Sequence, residues 1–180
     1  MPDALSPDAV TLRPAEGRDL AALRVIYAGH VLNGTGSFEE EPPDAAEFTR
    51  RWKAVTDLGL PYLVASSGRR PLGYAYAAPY RPRSAYRFTV EDSIYLDPDA
   101  VGRGIGGLLL SAVIERATSA GKRQMLAVIG DSANAASIRL HARLGFREVG
   151  TFRAVGLKFG RWLDSVLMQR ELGEGDSTSP

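Results

Sequence analysis

The sequence predicts an α+β fold built around one mixed sheet. Three observations support this class: two helical patterns precede the main strand patterns, a strand–helix–strand unit occupies the middle of the chain, and two long strand patterns end it. A chain of 180 residues that is 44% hydrophobic buries one full core but hardly two. We therefore expect one domain at residues 10–172, an N-terminal extension at 1–9 and a flexible C-terminal tail at 173–180.

Two helices and three short strands are expected in the first half of the chain. Asp19 is placed to cap the first helix, whose apolar residues recur at helical spacing until Asn33-Gly34. The second helix follows Pro42-Pro43 and stops at Gly59. A turn at Ser67-Gly-Arg-Arg70 joins the second and third strands. In chain order the expected elements are a strand at 10–13, a helix from 19 to 33, a helix ending at 59, and strands at 62–66 and 72–78.

The second half contains the strand–helix–strand unit and the closing strand pair. Gly121 and Gly145 each follow an apolar periodic segment, as glycines that end helices do. The apolar run at 125–129 is typical of a strand buried on both faces. In chain order the expected elements are a strand at 85–96, a helix at 108–120, a strand at 125–129, a helix at 134–144, and antiparallel strands at 146–155 and 162–172.

Composition and charge exclude several classes of partner. The 22 basic and 21 acidic residues leave a net charge of +1, so no overall field favours nucleic acid or a membrane surface. The absence of cysteine excludes disulfides and an enzyme thiol as nucleophile, and two histidines without cysteine argue against a metal site. The N-terminus lacks the blocks of a signal peptide, and the longest apolar run is too short to cross a bilayer. We expect a cytoplasmic protein with a small-molecule partner.

The most informative segment is 89–110, which reads as a strand, a glycine-rich turn and the start of an apolar helix. Such a turn directs bare backbone N–H groups and a helix N-terminus at one point, which is how proteins hold a phosphate or diphosphate. We therefore expect a phosphate-bearing cofactor at residues 102–106.

The run Gly102-Arg-Gly-Ile-Gly-Gly107 also matches the G-x-G-x-x-G fingerprint of dinucleotide-binding folds. That fold needs an acidic residue at the end of the next strand to bind a ribose hydroxyl. Here the next strand ends near Ile129, and no carboxylate appears before Asp131. A Walker-type phosphate loop fails as well, because no Lys followed by Ser or Thr closes the glycine run. A nucleotide-dependent dehydrogenase is therefore the weaker alternative.

The glycine pattern and its context resemble the acyl-CoA signature of the GNAT superfamily of N-acetyltransferases. Gly104 and Gly106 follow a strand that ends Ile94-Tyr-Leu96, and Val101 stands where that signature begins with Gln or Arg. The segment 134–146 resembles a second signature of the superfamily. The resemblance implies a GNAT-type mixed, mostly antiparallel twisted sheet flanked by helices, with splayed central strands that hold acetyl-CoA. The residues that it places at this cofactor are Ile94, Tyr95, Leu96, Val101, Gly102, Arg103, Gly104, Ile105, Gly106 and Asn134.

Four longer blocks resemble one branch of that superfamily, the phosphinothricin and methionine sulfoximine N-acetyltransferases. The blocks are YRFTVEDSIY at 86–95, AVIG at 127–130, HARLGF at 141–146 and RAVGLKFGRW at 153–162. The resemblance implies acetyl transfer from acetyl-CoA to the α-amino group of a small amino acid analogue, in a homodimer without metal. It also places Phe38, Arg83 and Tyr86 at the substrate. Arg81 is a further guanidinium that can grip a carboxylate or phosphinate.

Acetyl transfer to an amine requires a base, because a bound ammonium must lose a proton before its nitrogen attacks a thioester. Glu91 lies mid-strand beside the glycine turn and is the predicted base, acting directly or through water. His141 stands where many members of the superfamily carry the Tyr that protonates the departing thiolate, so it is the second predicted catalytic residue. Three alternatives stay open: transfer to ordinary amino acids, transfer to a peptide N-terminus, and a non-catalytic sensor that binds acyl-CoA.

Overall fold

Seven strands and four α-helices make up residues 10–180, the part of the chain that the computed structural model describes. The predicted extension at 1–9 lies outside the described residues. The strands are β1 Val10–Pro14, β2 Tyr62–Ser67, β3 Arg70–Pro79, β4 Thr89–Leu96, β5 Gln124–Gly130, β6 Arg147–Lys158 and β7 Arg161–Glu171. The helices are α1 Leu20–Asn33, α2 Ala45–Thr56, α3 Ile105–Ser119 and α4 Ala135–Arg143. None of these four helices combines the length and the apolar character that a membrane crossing requires.

The strands form one sheet in the order β1-β2-β3-β4-β5-β7-β6. Every neighbouring pair is antiparallel except β4 and β5, which run parallel and are connected through α3. The α+β class and the mixed, mostly antiparallel sheet predicted from the sequence are therefore confirmed.

The two central strands separate after a short ladder. Pairing between β4 and β5 ends at Glu91 opposite Leu126. Beyond that point β4 stays paired with β3 up to Leu96, while β5 stays paired with β7 up to Gly130. The gap between residues 92–96 of β4 and 127–130 of β5, here called the strand split, confirms the predicted splayed central strands. Its closed end lies beside Glu91.

The helices flank opposite faces of the sheet. On β4 the ring of Tyr95 contacts Tyr27 of α1, with 4.8 Å between ring centroids. The side chains of Ile94 and Leu96 instead approach Gly106 of α3. Because successive strand residues point to opposite faces, α1 and α2 cover one face and α3 the other. The largest fully buried apolar side chains are Tyr74, Leu23, Leu63, Ile105, Leu109, Leu110, Met125, Leu163, Leu172, Val31 and Val64.

Two predicted boundaries were wrong for local reasons. The strand expected from residue 85 begins at Thr89, because Ser84–Tyr86 forms a short 3-10 turn. The helix expected from residue 108 begins at Ile105, directly after Gly104 in the left-handed conformation at φ 78°. The glycine run is therefore partly the first turn of α3, and its amides are helix N-terminal amides.

The prediction that β5 is buried on both faces was also wrong. Met125, Ala127 and Ile129 are buried on the α3 side, but Val128 on the other side is 40% exposed. Helices α1 and α2 pack mainly on β2, β3 and β4, so that face of β5 remains open. This opening lies next to Glu91 in the ladder.

Asp19 does not cap α1 as predicted. Its carboxylate forms a bidentate ion pair with Arg13 of β1, with both N···O distances 2.7 Å, and it accepts a hydrogen bond from the Glu16 amide at 2.8 Å. The Arg13 hydrogen bond lowers the pKa of Asp19, although burial opposes this. The pair ties the first strand to the start of α1.

The segment after β7 folds back on the sheet. Arg123, which precedes β5, donates to the Gly175 carbonyl at 3.4 Å and to the Thr178 hydroxyl at 3.1 Å. The Gly175 amide in turn donates to the Leu172 carbonyl at 3.0 Å. The flexibility of residues 173–180 stays a prediction.

Candidate active site

The glycine turn presents open backbone at the start of α3. Gly102 and Gly104 have φ values of 80° and 78°, which favour glycine, and a Cβ at either position would meet no atom within 4 Å. The first turn of α3 carries no acidic side chain, so the positive end of the helix dipole is unopposed there. Val101 and Arg103 are both exposed beside it. This arrangement suits a diphosphate.

The backbone of 94–96 borders the strand split, where β5 no longer pairs with it. His30 of α1 donates from Nε2 to the Leu96 carbonyl at 2.8 Å, and its ring packs against Tyr95. Part of this predicted cofactor-binding segment is thus held by α1. The sequence carries no signal for this contact, because the two residues are 66 positions apart in the chain.

Helix α4 lies against the first turn of α3. A Cβ at Gly106 would meet Leu140 Cδ2 at 3.3 Å and Leu96 Cδ1 at 3.5 Å, so glycine at this position lets the two helices approach closely without a shift of Leu140. Asn134 caps α4 by accepting from the Ser137 amide at 3.2 Å. Its predicted contact with the cofactor stays a prediction. The open glycine turn, the strand split and this close-packed corner together fit a long phosphate-bearing cofactor.

Glu91 lies at the closed end of the strand split, on the face of α1 and α2. Its side chain is half-buried, and within residues 10–180 its carboxylate has no hydrogen bond or ion pair. Burial raises the pKa of Glu91, and the negative charge of Asp92 raises it further. An unpaired carboxylate with a raised pKa is suited to accept a proton near neutral pH.

His141 approaches the same point from the other face. Its Nε2 lies 3.0 Å from Asp92 Oδ2, and its Nδ1 lies 2.8 Å from the Ser137 carbonyl. The ring is 2% exposed and stands edge-on to Phe146. Both ring nitrogens are therefore engaged, and Asp92, which the sequence analysis did not single out, is the partner. Glu91 and Asp92 are consecutive on β4, so the two predicted catalytic residues flank one strand.

The predicted substrate residues form two groups. Arg81 and Tyr86 lie on the loop before β4, where the Arg81 guanidinium stacks over Tyr80 at 5.0 Å and over Tyr86 at 6.0 Å. Arg83 is exposed on the same loop. Phe38 lies near the far end of β5, against Gly130 and Gly156. Because β4 and β5 are parallel, these groups lie toward opposite ends of the strand split, and Glu91 lies between them.

A cavity of about 490 Å³ opens beside the first group. It lies between α2 and β3, and Ala78, which pairs with Glu91 across the sheet, is part of its wall. Its aromatic lining comes from Tyr27, Phe48, Tyr62, Tyr74, Tyr76 and Tyr80, and its charged lining from Arg50, Arg51 and Arg81. The space next to Glu91 is therefore lined mainly by aromatic rings and by three arginines, of which Arg50 and Arg51 are ion-paired with Glu47 and Glu39.

The loop between α1 and α2, which carries Phe38, is held in place by long-range contacts. Buried Lys158 donates to the Ser37 carbonyl at 2.6 Å, and Ser37 Oγ lies 3.0 Å from the Tyr27 hydroxyl. Thr35 donates to Asp131, which also binds Arg161 at 2.8 Å. The sequence indicated none of these contacts, because each joins residues that are distant in the chain or carry no motif.

Replacing Gly130 with Ala should loosen this loop. The added Cβ would lie 2.4 Å from the Thr35 carbonyl oxygen, which is backbone and has to move. Overpacking of this kind costs about 1–3 kcal/mol, so we expect thermal denaturation to show that loss. Gly150→Ala is the matched control, because a Cβ there meets nothing within 4 Å and should change stability by less than about 0.5 kcal/mol. Equal melting temperatures for the two variants would contradict the prediction.

No group of three or more His, Asp or Glu side chains within residues 10–180 is arranged to hold a metal ion. The charged groups around the strand split are instead Glu91, the Asp92–His141 pair and the arginines of the loop before β4.

Known proteins share both the sequence and the fold of this chain. Residues 26–146 match the acetyltransferase (GNAT) family. The phosphinothricin N-acetyltransferase of Alcaligenes faecalis is 55% identical over 172 residues, which are 96% of this chain and 87% of that protein. An L-methionine sulfoximine/L-methionine sulfone acetyltransferase of Pseudomonas paraeruginosa is 44% identical over 163 residues, which are 90% of this chain and 94% of that protein.

The solved structures agree with the sequence matches. A GNAT superfamily phosphinothricin acetyltransferase from Sinorhizobium meliloti, crystallised in complex with AcCoA, has a TM-score of 0.92 and 51% identity to this chain. The match covers 95% of this chain and 92% of that one. The resemblance inferred from the glycine turn and the four longer blocks is thereby confirmed, and the chain belongs to the acetyltransferase (GNAT) family.

Proposed function

We propose that this protein transfers the acetyl group of acetyl-CoA to the α-amino group of a small amino acid analogue of the phosphinothricin or methionine sulfoximine type. The observation that carries the proposal is the strand split, which has the glycine turn at its open end and the unpaired Glu91 at its closed end. A cofactor lying along the split would bring its acyl end to Glu91. The relatives with more than 40% identity act on such analogues by name.

The residues of the split fit acetyl-CoA as co-substrate. The amides of 102–106 would receive the diphosphate at the N-terminus of α3. The free backbone edge of 94–96 would pair with the amide groups of the pantetheine arm, beside Leu140. In this proposal Asn134, at the start of α4, also contacts the cofactor. The thioester that the co-substrate supplies is the electrophile of the reaction.

Glu91 has the role of the base in this mechanism. It takes one proton of the bound ammonium, directly or through a water molecule, and so frees the amine nitrogen to attack the thioester carbon. The second proton leaves the nitrogen to solvent as the amide forms. The transfer is direct within a ternary complex, so no acyl-enzyme forms. His141 lies on the opposite face of β4, and its proposed role is to protonate the departing thiolate.

Arg83, Arg81 and Tyr86 are proposed to bind the acid groups of the acceptor, and Phe38 to close the site from the other end. The stack of Arg81 on Tyr80 and Tyr86 supports this role, because it holds a guanidinium beside the cavity wall formed by Ala78. The open face of β5 at Val128 leaves room for the acceptor next to Glu91.

A thiol-release assay with acetyl-CoA tests the proposal across a panel of amines. The panel contains phosphinothricin, methionine sulfoximine, methionine sulfone, ordinary amino acids and a peptide with a free N-terminus. We expect turnover with the analogues and the largest kcat/KM among them. A higher kcat/KM for ordinary amino acids or for the peptide would redirect the substrate assignment. Calorimetric binding of acetyl-CoA without thiol release from any amine would identify a sensor instead.

A homodimer is part of the proposal. Six large apolar side chains between residues 149 and 162 are about half exposed or more, and they lie on the edge strand β6, the turn that follows and the start of β7: Val149, Phe152, Val155, Leu157, Phe159 and Trp162. An apolar edge of this extent favours association over exposure to water. Because the resembled branch is homodimeric, a second copy of the chain is the proposed partner. A cytoplasmic location is likewise proposed, since acetyl-CoA is supplied there.

Sedimentation velocity tests the dimer. We expect twice the 19.4 kDa mass of one chain for the wild type and a shift toward monomer for Trp162→Glu. Val25→Glu on α1 is the matched control, because both side chains are 66% exposed but Val25 lies away from β6. A wild-type monomer, or an equal shift in both variants, would contradict this interface.

A further inference from the structure

The hydrogen bonds of His141 indicate where its protons are. A carbonyl oxygen only accepts, and Nδ1 lies 2.8 Å from the Ser137 carbonyl but 3.4 Å from the Ser137 hydroxyl, so the shorter contact places a proton on Nδ1. The other nitrogen, Nε2, lies 3.0 Å from Asp92 Oδ2, and a bare nitrogen facing a bare carboxylate oxygen would not form this contact. A second proton therefore lies between His141 and Asp92, and with it on the ring the pair is an imidazolium and a carboxylate.

This pair lies at the closed end of the strand split. Asp92 directly follows Glu91, the last β4 residue that pairs with β5. The second carboxylate oxygen of Asp92, Oδ1, is buried and has no hydrogen-bond partner within residues 10–180. A buried carboxylate oxygen without a donor is unfavourable, so a ligand N–H or S–H group is expected at this point.

We infer that Asp92 is a positioning residue of acetyl transfer, which holds His141 as an imidazolium at the closed end of the strand split. The inference rests on the proposed function. As the carbon–nitrogen bond forms and the carbon–sulfur bond breaks, the bond pair stays on sulfur, and the proton shared by His141 and Asp92 passes to it. Glu91 takes the proton whose loss frees the amine, the second nitrogen proton leaves to solvent as the amide forms, and solvent returns a proton to the pair.

Among the groups around the His141 ring, Asp92 is the charged one that determines its pKa. Strand β5 carries no ionisable side chain, and Phe146 contributes an uncharged ring edge. Arg147 and Glu148 at the start of β6 are exposed. Burial alone would lower the pKa of His141, but the hydrogen bond and charge of Asp92 outweigh it, so the pKa is raised above 6.5. The imidazolium is therefore present below that raised value and is lost as the pH rises through it.

Asp92→Asn separates this role from simple packing. The amide can donate to Nε2 and keep a hydrogen bond, but it removes the charge, so the ring should become neutral with its single proton on Nδ1. We expect the alkaline limb of the kcat profile to move by about one pH unit or more toward acid. At pH 8 kcat should fall by about 10- to 100-fold, while KM for both substrates changes little.

Nitrogen-15 NMR of the imidazole provides a readout besides activity. At pH 6 both ring nitrogens should be protonated in the wild type, and the pH at which the ring loses the Nε2 proton should be lower in Asp92→Asn. Asp19→Asn is the matched control, because Asp19 is also 6% exposed and ion-paired, but to Arg13 far from the split. It should lower stability and leave both the profile and the His141 signals unchanged.

Three results would overturn the inference. They are a neutral His141 ring at pH 6 in active wild-type enzyme, an unchanged kcat profile in Asp92→Asn, and an equal shift in Asp19→Asn. If Asp92→Asn does not fold, the NMR spectrum of the wild type is sufficient to test the inference. A folded protein that releases no thiol with any amine would instead refute the proposed function, so the two failures are distinguishable.

Discussion

Replacing Glu91 with Gln is expected to lower kcat by about 10²- to 10⁴-fold, the usual contribution of a general base. The isosteric amide cannot take the proton of the bound ammonium, so only the small fraction of free amine would react. KM for acetyl-CoA should change little, because the glycine turn at 102–106 is untouched. Steady-state kinetics over pH 6–10 checks this.

The pH dependence gives a second signature. The pKa of Glu91 is raised by burial, and the carboxylate acts as a base only above that pKa. Wild-type kcat should therefore fall as the pH drops through this raised value, whereas Glu91→Gln should gain rate steadily with pH as free amine appears. Glu115→Gln is the control, because Glu115 is an exposed carboxylate on α3. A Glu91→Gln enzyme with wild-type kcat would remove Glu91 from the role of base.

Replacing Gly104 with Asp should raise KM for acetyl-CoA by about 10²-fold relative to Gly104→Asn. Asp and Asn both tolerate the left-handed conformation that Gly104 adopts at φ 78°, so the two substitutions carry a similar backbone cost. Only Asp adds a negative charge. Two charges about 5 Å apart interact by roughly 3 kcal/mol at an effective dielectric constant of about 20, which corresponds to that factor.

Stability measurements test whether the higher KM of Gly104→Asp arises from a less stable protein. Gly104 is the N-cap of α3, where an acidic side chain stabilises a helix, so Gly104→Asp should melt at least as high as Gly104→Asn. Added salt should narrow the difference in KM, because it screens exposed charges. Equal KM values for the two variants would mean that no phosphate group binds at this turn.

Local patterns in the sequence were sufficient for the glycine turn and for most strands and helices. The glycine turn was recognisable because the left-handed conformation of Gly104 favours glycine, and the close approach of Leu140 to Gly106 suits a residue without a side chain. The start of β4 was misplaced because the 3-10 turn at Ser84–Tyr86 has no distinctive residue signal. The burial of β5 was overestimated because an apolar run does not reveal which face a helix will cover.

The contacts within the site join residues that are far apart in the chain. Asp92 and His141 are separated by 49 positions, and Lys158 and Ser37 by 121. No periodicity or spacing rule connects such pairs, since their approach depends on how the sheet and helices pack. The arrangement of Phe38 and Tyr86 toward opposite ends of the strand split is of the same kind.

The amino-acid sequence by itself determined the fold class and the glycine turn, because turn conformation and apolar periodicity are short-range properties. Glu91 and His141 became candidates through the resemblance of their segments to the GNAT superfamily, together with the need of the reaction for a base. Tertiary structure alone decided that β4 and β5 separate after Glu91, that His141 lies within hydrogen-bond distance of Asp92, and that one face of β5 stays open. These features depend on burial and on distances between remote segments, and neither quantity exists until the chain has packed.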